Sequence, residues 1–214
     1  DHEHILDSDS ILSLIYLPAS MVVLGSGVIA CEYASTMAAL GVKVTMIDKA
    51  PLPLNFLDPD ISRRFLDGFE ANGGKYLGQR KHTHAEFNGL EVVVHLDGGE
   101  AVHAEKMLCA LGRVSCVEGL NLEAAGISAS GRYIPVNKDM QTSIPHIYAA
   151  GDVIGPPALA ASSMEQGRRA ACHALGLSAG ERGDLIPVGI YAIPEVSSVG
   201  LSETEALKRH GACM

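Results

Sequence analysis

Residues 22–35 read VVLGSGVIACEYAS, an apolar strand that runs into a Gly-x-Gly turn and then into a helix. Gly25 permits the tight turn, and Gly27 lets the backbone approach a pyrophosphate with no side chain between them. The helix behind the turn offers unpaired N–H groups and a partial positive charge, so Ser26, Val28 and Ile29 are expected around the phosphates. Ala30 stands where the fingerprint has its third glycine, and a methyl group still allows close helix–strand packing. Val42–Ile47 alternates as the next strand and ends in Asp48, 23 residues after Gly25. That is near the spacing of about 20 for the acid that binds a ribose. A carboxylate there accepts both ribose hydroxyls of NAD and repels a 2′-phosphate. Lys49, the only base beside it, reads as a solvated surface lysine, and the charge of Asp48 outweighs the methyl of Ala30, so NAD(H) is the expected dinucleotide.

Working outward, the helix over Val28–Leu40 is expected to end at Gly41. Asp58-Pro59-Asp60 opens a second helix, with Asp58 as N-cap, Pro59 at the first position and Phe65, Leu66 and Phe69 on one face. Asn72-Gly73-Gly74 stops it. The next stretch changes character: Asn88-Gly89 and Asp97-Gly98-Gly99 sit between short alternating runs and predict an antiparallel meander. Met107–Leu111 reads as a buried strand returning to the main sheet. The order from about Pro18 to Arg113 predicts a Rossmann-like α/β unit with a parallel sheet, helices and a β-meander on one side.

A second unit follows Gly112-Arg113, with short strands expected at Tyr133–Val136 and His146–Ala150 and a helix at Ala158–Leu175. From Ile186 onward the pattern is of strands broken by prolines. Ser202 with Glu205 three residues later is a capping-box signature for a last helix. Both ends read as points where a longer chain is interrupted, since nothing before Tyr16 is strongly periodic and the last helix runs out at Met214.

The composition excludes several classes. Of 214 residues, 47% are hydrophobic and 19% charged, an ordinary globular mix. A net charge of −9 argues against nucleic acid as the partner, because a phosphate backbone calls for a basic face. No apolar run approaches the roughly 18 residues of a membrane span. Asp1–Ser10 is acidic and polar and does not read as a secretory signal. Cys31, Cys109, Cys116, Cys172 and Cys213 are scattered, with no CxxC pair or His-assisted metal spacing. They are expected as reduced thiols in a cytoplasmic protein, with neither a disulfide nor a metal site.

A second cluster, TSIPHIYAAGDVIGPPALAASSMEQGRRAA over 142–171, carries Gly151-Asp152 at the end of an apolar segment, where ligands sit in α/β sheets. A helix beginning near Ala158 would turn another dipole toward a phosphate. On the residues alone, Asp152 is as well read as a helix-leading aspartate as a ligand contact.

Together, the TxxPxIYAxGD pattern, the GxGxxGxE turn and the ALGR segment resemble the two-dinucleotide-binding flavoprotein disulfide reductases. The resemblance covers essentially the whole chain. DSDSIL, IACEYAS, SSMEQGRRAA and IPVGIYAIPEVSSVG are most similar to the transhydrogenase branch of that group. It implies an FAD- and NAD(P)-dependent oxidoreductase that passes hydride between NADPH and NAD+ through flavin. The alternatives are a reductase of the dihydrolipoamide dehydrogenase type and a non-catalytic NAD-binding piece. It further implies that the Gly25 turn is the NAD cradle and that Gly151 and Asp152 hold the FAD ribitol chain. Backbone at Ala158, Leu159 and Ala160 would face the flavin, with Val153 and Ile154 as packing. Glu32, at the acid of GxGxxGxE, would lie near the nicotinamide end, and Gly112 would let the nicotinamide half pass. His84 would line the adenine pocket, although as a bare residue it reads as a surface histidine. The implied division is residues 1–17 as a linker from a preceding FAD segment and 18–113 as the NAD-binding domain. Residues 114–182 would be the second part of the FAD-binding domain, and 183–214 the start of an interface domain. The first FAD segment, the position where a disulfide reductase carries its redox CxxxxC and most of the interface domain would lie outside this sequence, and the whole protein would be at least a dimer.

Overall fold

The computed structural model describes residues 3–129, 131–180 and 187–211. The chain divides into two compact units, one of Asp1–Gly112 with Gly189–Met214 and one of Arg113–Val188.

The first unit is built on a five-stranded parallel sheet. Its strands are β1 (Ile5–Leu6), β2 (Ser20–Leu24), β3 (Lys43–Ile47), β4 (Lys75–Leu77) and, after a meander, β8 (Lys106–Cys109). They lie in the order β1-β8-β2-β3-β4. Central strand β2 is SMVVL, and Met21, Val22, Val23 and Leu24 are all buried. A continuous apolar run is what a parallel strand covered on both faces requires. Val22, Leu24, Ile47 and Met107 share one core with Val92, Val94, Leu96 and Ala104 of the meander, which therefore covers one face of the sheet. The meander is β5 (His82–Phe87), β6 (Val92–Leu96) and β7 (Ala101–Ala104), antiparallel throughout, as its two Gly-containing turns predict.

Helix α1 (Val28–Ala39) follows the first turn and packs on β2 and β3. Ala30, Cys31, Ala34, Ser35, Met37 and Ala38 are buried, and the chain leaves at Leu40 and Gly41. Helix α2 (Pro59–Ala71) starts where the sequence places it, with Pro59 in its first turn, and buries Ser62, Phe65 and Phe69. Asp58 is its N-cap by position only. Its carboxylate makes no cap bond and instead accepts the Glu203 N–H at 3.0 Å. The final segment adds a two-stranded ladder of β9 (Val188–Ile190) and β10 (Val196–Ser198), then a helix at Glu203–His210. That helix carries the expected capping box: Ser202 Oγ accepts the Glu205 N–H while the Glu205 carboxylate accepts the Ser202 N–H. Ile186, where this proline-broken stretch was expected to begin, lies outside the described residues.

Three local expectations need correction. Residues 5–6 pair in register with Met107 and Leu108, so the segment before Tyr16 supplies an edge strand of the sheet. Its two paired residues are too few to show a period. In the second unit no strand forms at 133–136 or 146–150 among the described residues; Tyr133 is a bridge residue only, and Tyr148 makes an isolated antiparallel bridge with Gln141. The pairing these segments find is too short for a ladder: Ala149 donates to the Met140 carbonyl at 3.0 Å, Thr142 to that of Ile147 at 2.9 Å, and Ile134 to that of Val153 at 3.0 Å. Helix α3 runs over Ala160–Ala174 rather than from Ala158, because Leu159 is still extended, with φ −132° and ψ 147°.

Among the described residues no helix is long and apolar enough to cross a membrane. Cys31, Cys109, Cys116 and Cys172 are unpaired thiols. Cys213 lies outside the described residues.

Candidate dinucleotide site

The strand order places β3 and β4 on one side of β2 and β8 and β1 on the other, so the order reverses at β2. Leu24 pairs with Ile47 and with Cys109, which brings the carboxyl ends of three strands together where the Gly25 turn leaves the sheet. This crevice is where open α/β sheets bind ligands.

The two glycines of the turn do different work. Gly25 has φ +107°, and a Cβ there would stand 2.3 Å from the Ala110 carbonyl oxygen, a backbone atom that has nowhere to go. Its N–H donates to the Ile47 carbonyl at 2.9 Å. Gly25 is therefore required by the fold itself. Gly27 has φ −78° and ψ −173°, which any residue adopts, and nothing lies within 4 Å of where its Cβ would be. The fold does not demand a glycine at that position, and the open space above its backbone suits close approach by a ligand.

Ser26, between them, is buried, and its carbonyl accepts the Leu54 N–H at 2.8 Å and the Cys31 thiol at 3.4 Å. Val28 and Ile29 are half-buried in the first turn of α1, and Ala30 is fully buried beneath it. No side chain caps this helix. The N–H groups of its first turn have no carbonyl one turn back to bond. Burial holds the Cys31 thiol well above its ordinary pKa, with the Asp48 charge adding to the effect, so it is a packing group.

Asp48 stands half-buried just past β3. Its Oδ1 accepts the Ala50 N–H at 2.8 Å, which fixes the carboxylate and leaves Oδ2 without a bond among the described residues. Its backbone is clamped on both sides: the N–H donates to Leu77 O at 3.2 Å, and the carbonyl accepts the Arg80 N–H at 3.0 Å. Tyr76 donates its hydroxyl to the Ala50 carbonyl at 2.8 Å, and burial pushes that phenol up to about 12. Lys49 is exposed. These residues fit a dinucleotide: a bare backbone turn, an uncapped helix start and one free carboxylate oxygen at the next strand end.

Glu32 has a partner that its sequence position does not reveal. Its Oε1 accepts the Tyr191 N–H at 2.8 Å, and three residues on, Ser35 Oγ accepts the Ile193 N–H at 2.9 Å. One side of α1 thus ties down the strand-like segment after β9. The only local signal was Ser35, a polar residue on the buried face of α1. Gly112 follows β8 with φ +124° and closes the first stretch of the first unit. His84 sits in β5, its ring stacked on that of His95.

In the second unit Gly151 has φ +83° and ψ −159°, and its N–H donates to the buried Gln166 side chain at 2.7 Å. A Cβ there would come within 3.2 Å of Ser163 Oγ. Asp152 begins a short 3-10 turn through Val153 and Ile154 rather than ending a strand. Its carbonyl accepts the Ser115 hydroxyl at 2.9 Å, and its carboxylate stands exposed, 4.0 Å from Arg113 Nε. Ala158 and Ala160 are exposed, Leu159 is half-buried, and α3 also starts without a side-chain cap. Ser162 Oγ, in its first turn, is buried and has no hydrogen-bond partner among the described residues.

Residues 1–167 match the pyridine nucleotide-disulphide oxidoreductase family. The chain is 44% identical over 209 residues to the soluble pyridine nucleotide transhydrogenase of Mycobacterium tuberculosis, covering 97% of this chain and 45% of that protein. It is 40% identical over 205 residues to the protein of the same name from Pseudomonas entomophila, covering 95% and 44%. Among solved structures, LpdA from Mycobacterium tuberculosis superposes with a TM-score of 0.91 at 30% identity, over 98% of this chain and 46% of that one. The HOCl-induced flavoprotein disulfide reductase RclA from Escherichia coli superposes with a TM-score of 0.88 at 29% identity, over 99% and 49%. The chain spans rather less than half the length of the proteins it matches.

Proposed function

The chain belongs to the pyridine nucleotide-disulphide oxidoreductase family, and we propose that it is part of an FAD-dependent transhydrogenase that passes hydride between NADPH and NAD+. The observation that carries the reading is the Gly27 turn, bare where the fold does not require it to be, beside an uncapped helix. The relatives named soluble pyridine nucleotide transhydrogenase support that activity over dithiol reduction.

Gly25, Ser26, Gly27, Val28 and Ile29 would hold the NAD pyrophosphate through backbone N–H groups and the helix field. Asp48 would hold the adenosine ribose through its unused oxygen and turn away a 2′-phosphate, with Lys49 at the rim. Glu32 and Gly112 would border the nicotinamide half. In the second unit Gly151, Asp152 and the backbone of Ala158, Leu159 and Ala160 would hold FAD, whose chemistry, when bound, is the redox step itself. Asp152 would accept from the ribitol hydroxyls, and the uncapped start of α3 would face the flavin. On this reading residues 18–113 are the NAD-binding domain and 114–182 the second part of the FAD-binding domain. Residues 183–214 begin an interface domain, in a protein that is at least dimeric and cytoplasmic.

The test is NADPH-dependent reduction of a thio-NAD+ acceptor, with no dithiol present, by the whole protein that carries this chain; residues 1–214 alone are expected to transfer no hydride. Turnover supports the proposal. Lipoamide-dependent NADH oxidation without transhydrogenation would replace it with the disulfide-reductase alternative. Asp48→Ala should weaken NAD+ binding about tenfold or more, the loss of a charge-assisted hydrogen bond of about 1.5–3 kcal/mol. It should also narrow the discrimination against NADPH.

A further inference from the structure

The outer face of the meander carries a group of side chains to which the proposed function assigns no role. His84 and Glu86 are two apart on β5 and share a face, and His95 stands directly opposite His84 on β6. The two imidazoles stack with centroids 4.1 Å apart and planes 9° from parallel. His95 Nε2 lies 3.4 Å from Glu86 Oε1. One donor atom from each of the three side chains falls within 4.8 Å of the other two.

Donors held about 2.0–2.2 Å from one ion at tetrahedral angles are about 3.3 Å apart. The Glu86–His95 pair already has that spacing, and His84, whose ring is exposed, joins it by rotating out of the stack so that its in-plane lone pair meets the same ion. The protonation pattern also agrees. Thr83 Oγ1 donates to the His95 carbonyl at 3.2 Å, so its oxygen is left to accept Nδ1–H of His84 at 3.3 Å. That fixes the tautomer of His84 and leaves the Nε2 lone pair for a ligand. His95 Nε2 is shielded from solvent and makes no hydrogen bond among the described residues, its 3.4 Å contact with Glu86 Oε1 not being one. Buried polar atoms normally have a partner, and a cation shared with Glu86 supplies one. His84 and Glu86 are exposed, so an ion has a path in.

We propose that His84, Glu86 and His95 form a binding site for a divalent first-row transition cation, with two imidazole nitrogens, one carboxylate oxygen and water completing the shell. Imidazole selects against Mg2+ and Ca2+, and the usual affinity order places Cu2+ above Zn2+. The site is not legible as a spacing motif, because strand register and the irregularity between His82 and His84 assemble it.

The test titrates Zn2+ against a chromophoric chelator and follows Cu2+ by electron paramagnetic resonance in the purified protein. The expected result is a site with two-nitrogen hyperfine splitting, NMR shifts of the His84 and His95 imidazole signals, and no response to Mg2+. Glu86→Gln, on an exposed side chain that the fold does not need, and His95→Asn should each weaken the site at least tenfold. His103→Ala, which removes the neighbouring His103–Glu91 pair, should leave it unchanged. Unchanged affinity in Glu86→Gln, equal loss in His103→Ala, or no shift of the two imidazoles would overturn the proposal and leave the cluster an ion pair only.

Discussion

At Gly25 and Gly27, two glycines of one motif answer to different demands, and substitution separates them. Gly25→Ala drives a methyl group into the Ala110 carbonyl and forces an alanine to φ +107°. Strain and overlap together should cost on the order of 3 kcal/mol of stability. Gly27→Ala meets no atom of the protein and should change stability by about 1 kcal/mol or less. It should nevertheless weaken NADH tenfold or more, because the methyl group stands where a pyrophosphate would rest on bare backbone. Urea denaturation and calorimetric titration of the two variants distinguish the roles; equal stability losses would show that both glycines serve the fold. The cysteines divide in a similar way. Cys109 and Cys116 are exposed, whereas Cys31 is buried with its thiol pKa raised mainly by desolvation. Alkylation near neutral pH without reductant should label the first two in the native protein and Cys31 only after denaturation. Rapid native labelling of Cys31 would show that the turn opens.

Among the elements, β2 is positioned at its start by a distant carboxylate. Glu105, between β7 and β8, accepts the Ala19 N–H at 2.7 Å, just before β2 begins. This bond, foremost among the causes, lowers the Glu105 pKa below its ordinary 4.5. A carboxyl whose folded pKa is depressed adds stability above its unfolded pKa and loses it as pH falls through the folded value. The native protein should therefore be more stable than Glu105→Gln at pH 6, and the gap should close as the pH drops below 4.5. A gap that stays constant down to pH 3 would mean that the charge contributes nothing. The element scale is also where sequence patterns misled. Asp58 has the identity and place of a cap, but a carboxylate 145 residues from its partner in the chain is used to hold Glu203 instead. Residues 133–136 and 146–150 have strand-like sequences yet extend into no ladder among the described residues, because a strand needs a neighbour that runs alongside it for several residues.

For the molecule as a whole, burial is uneven. β2, β3 and β8 are covered on both faces, whereas the described residues of the second unit hold one regular helix among turns. Native-state hydrogen exchange should find the amides of Val22–Leu24 and Val44–Ile47 opening only with global unfolding. Those of residues 113–150 should exchange through local opening at lower free energy. Equal protection in both units would contradict this. The sequence by itself determined the first βα turn, an acid placed at the end of the next strand, the meander and the last capping box. Each is specified by neighbours in the chain: glycine at a turn, a period of two or of 3.6, an acid at a set distance. Only the tertiary structure decided that residues 5–6 complete the sheet and that Gly25 is required by Ala110. It also decided that Glu32 and Ser35 clasp residues 191 and 193, and that His84, Glu86 and His95 meet on one face. Those contacts join residues far apart in the chain or depend on strand register, and no local pattern of side chains encodes which distant backbone will arrive beside them.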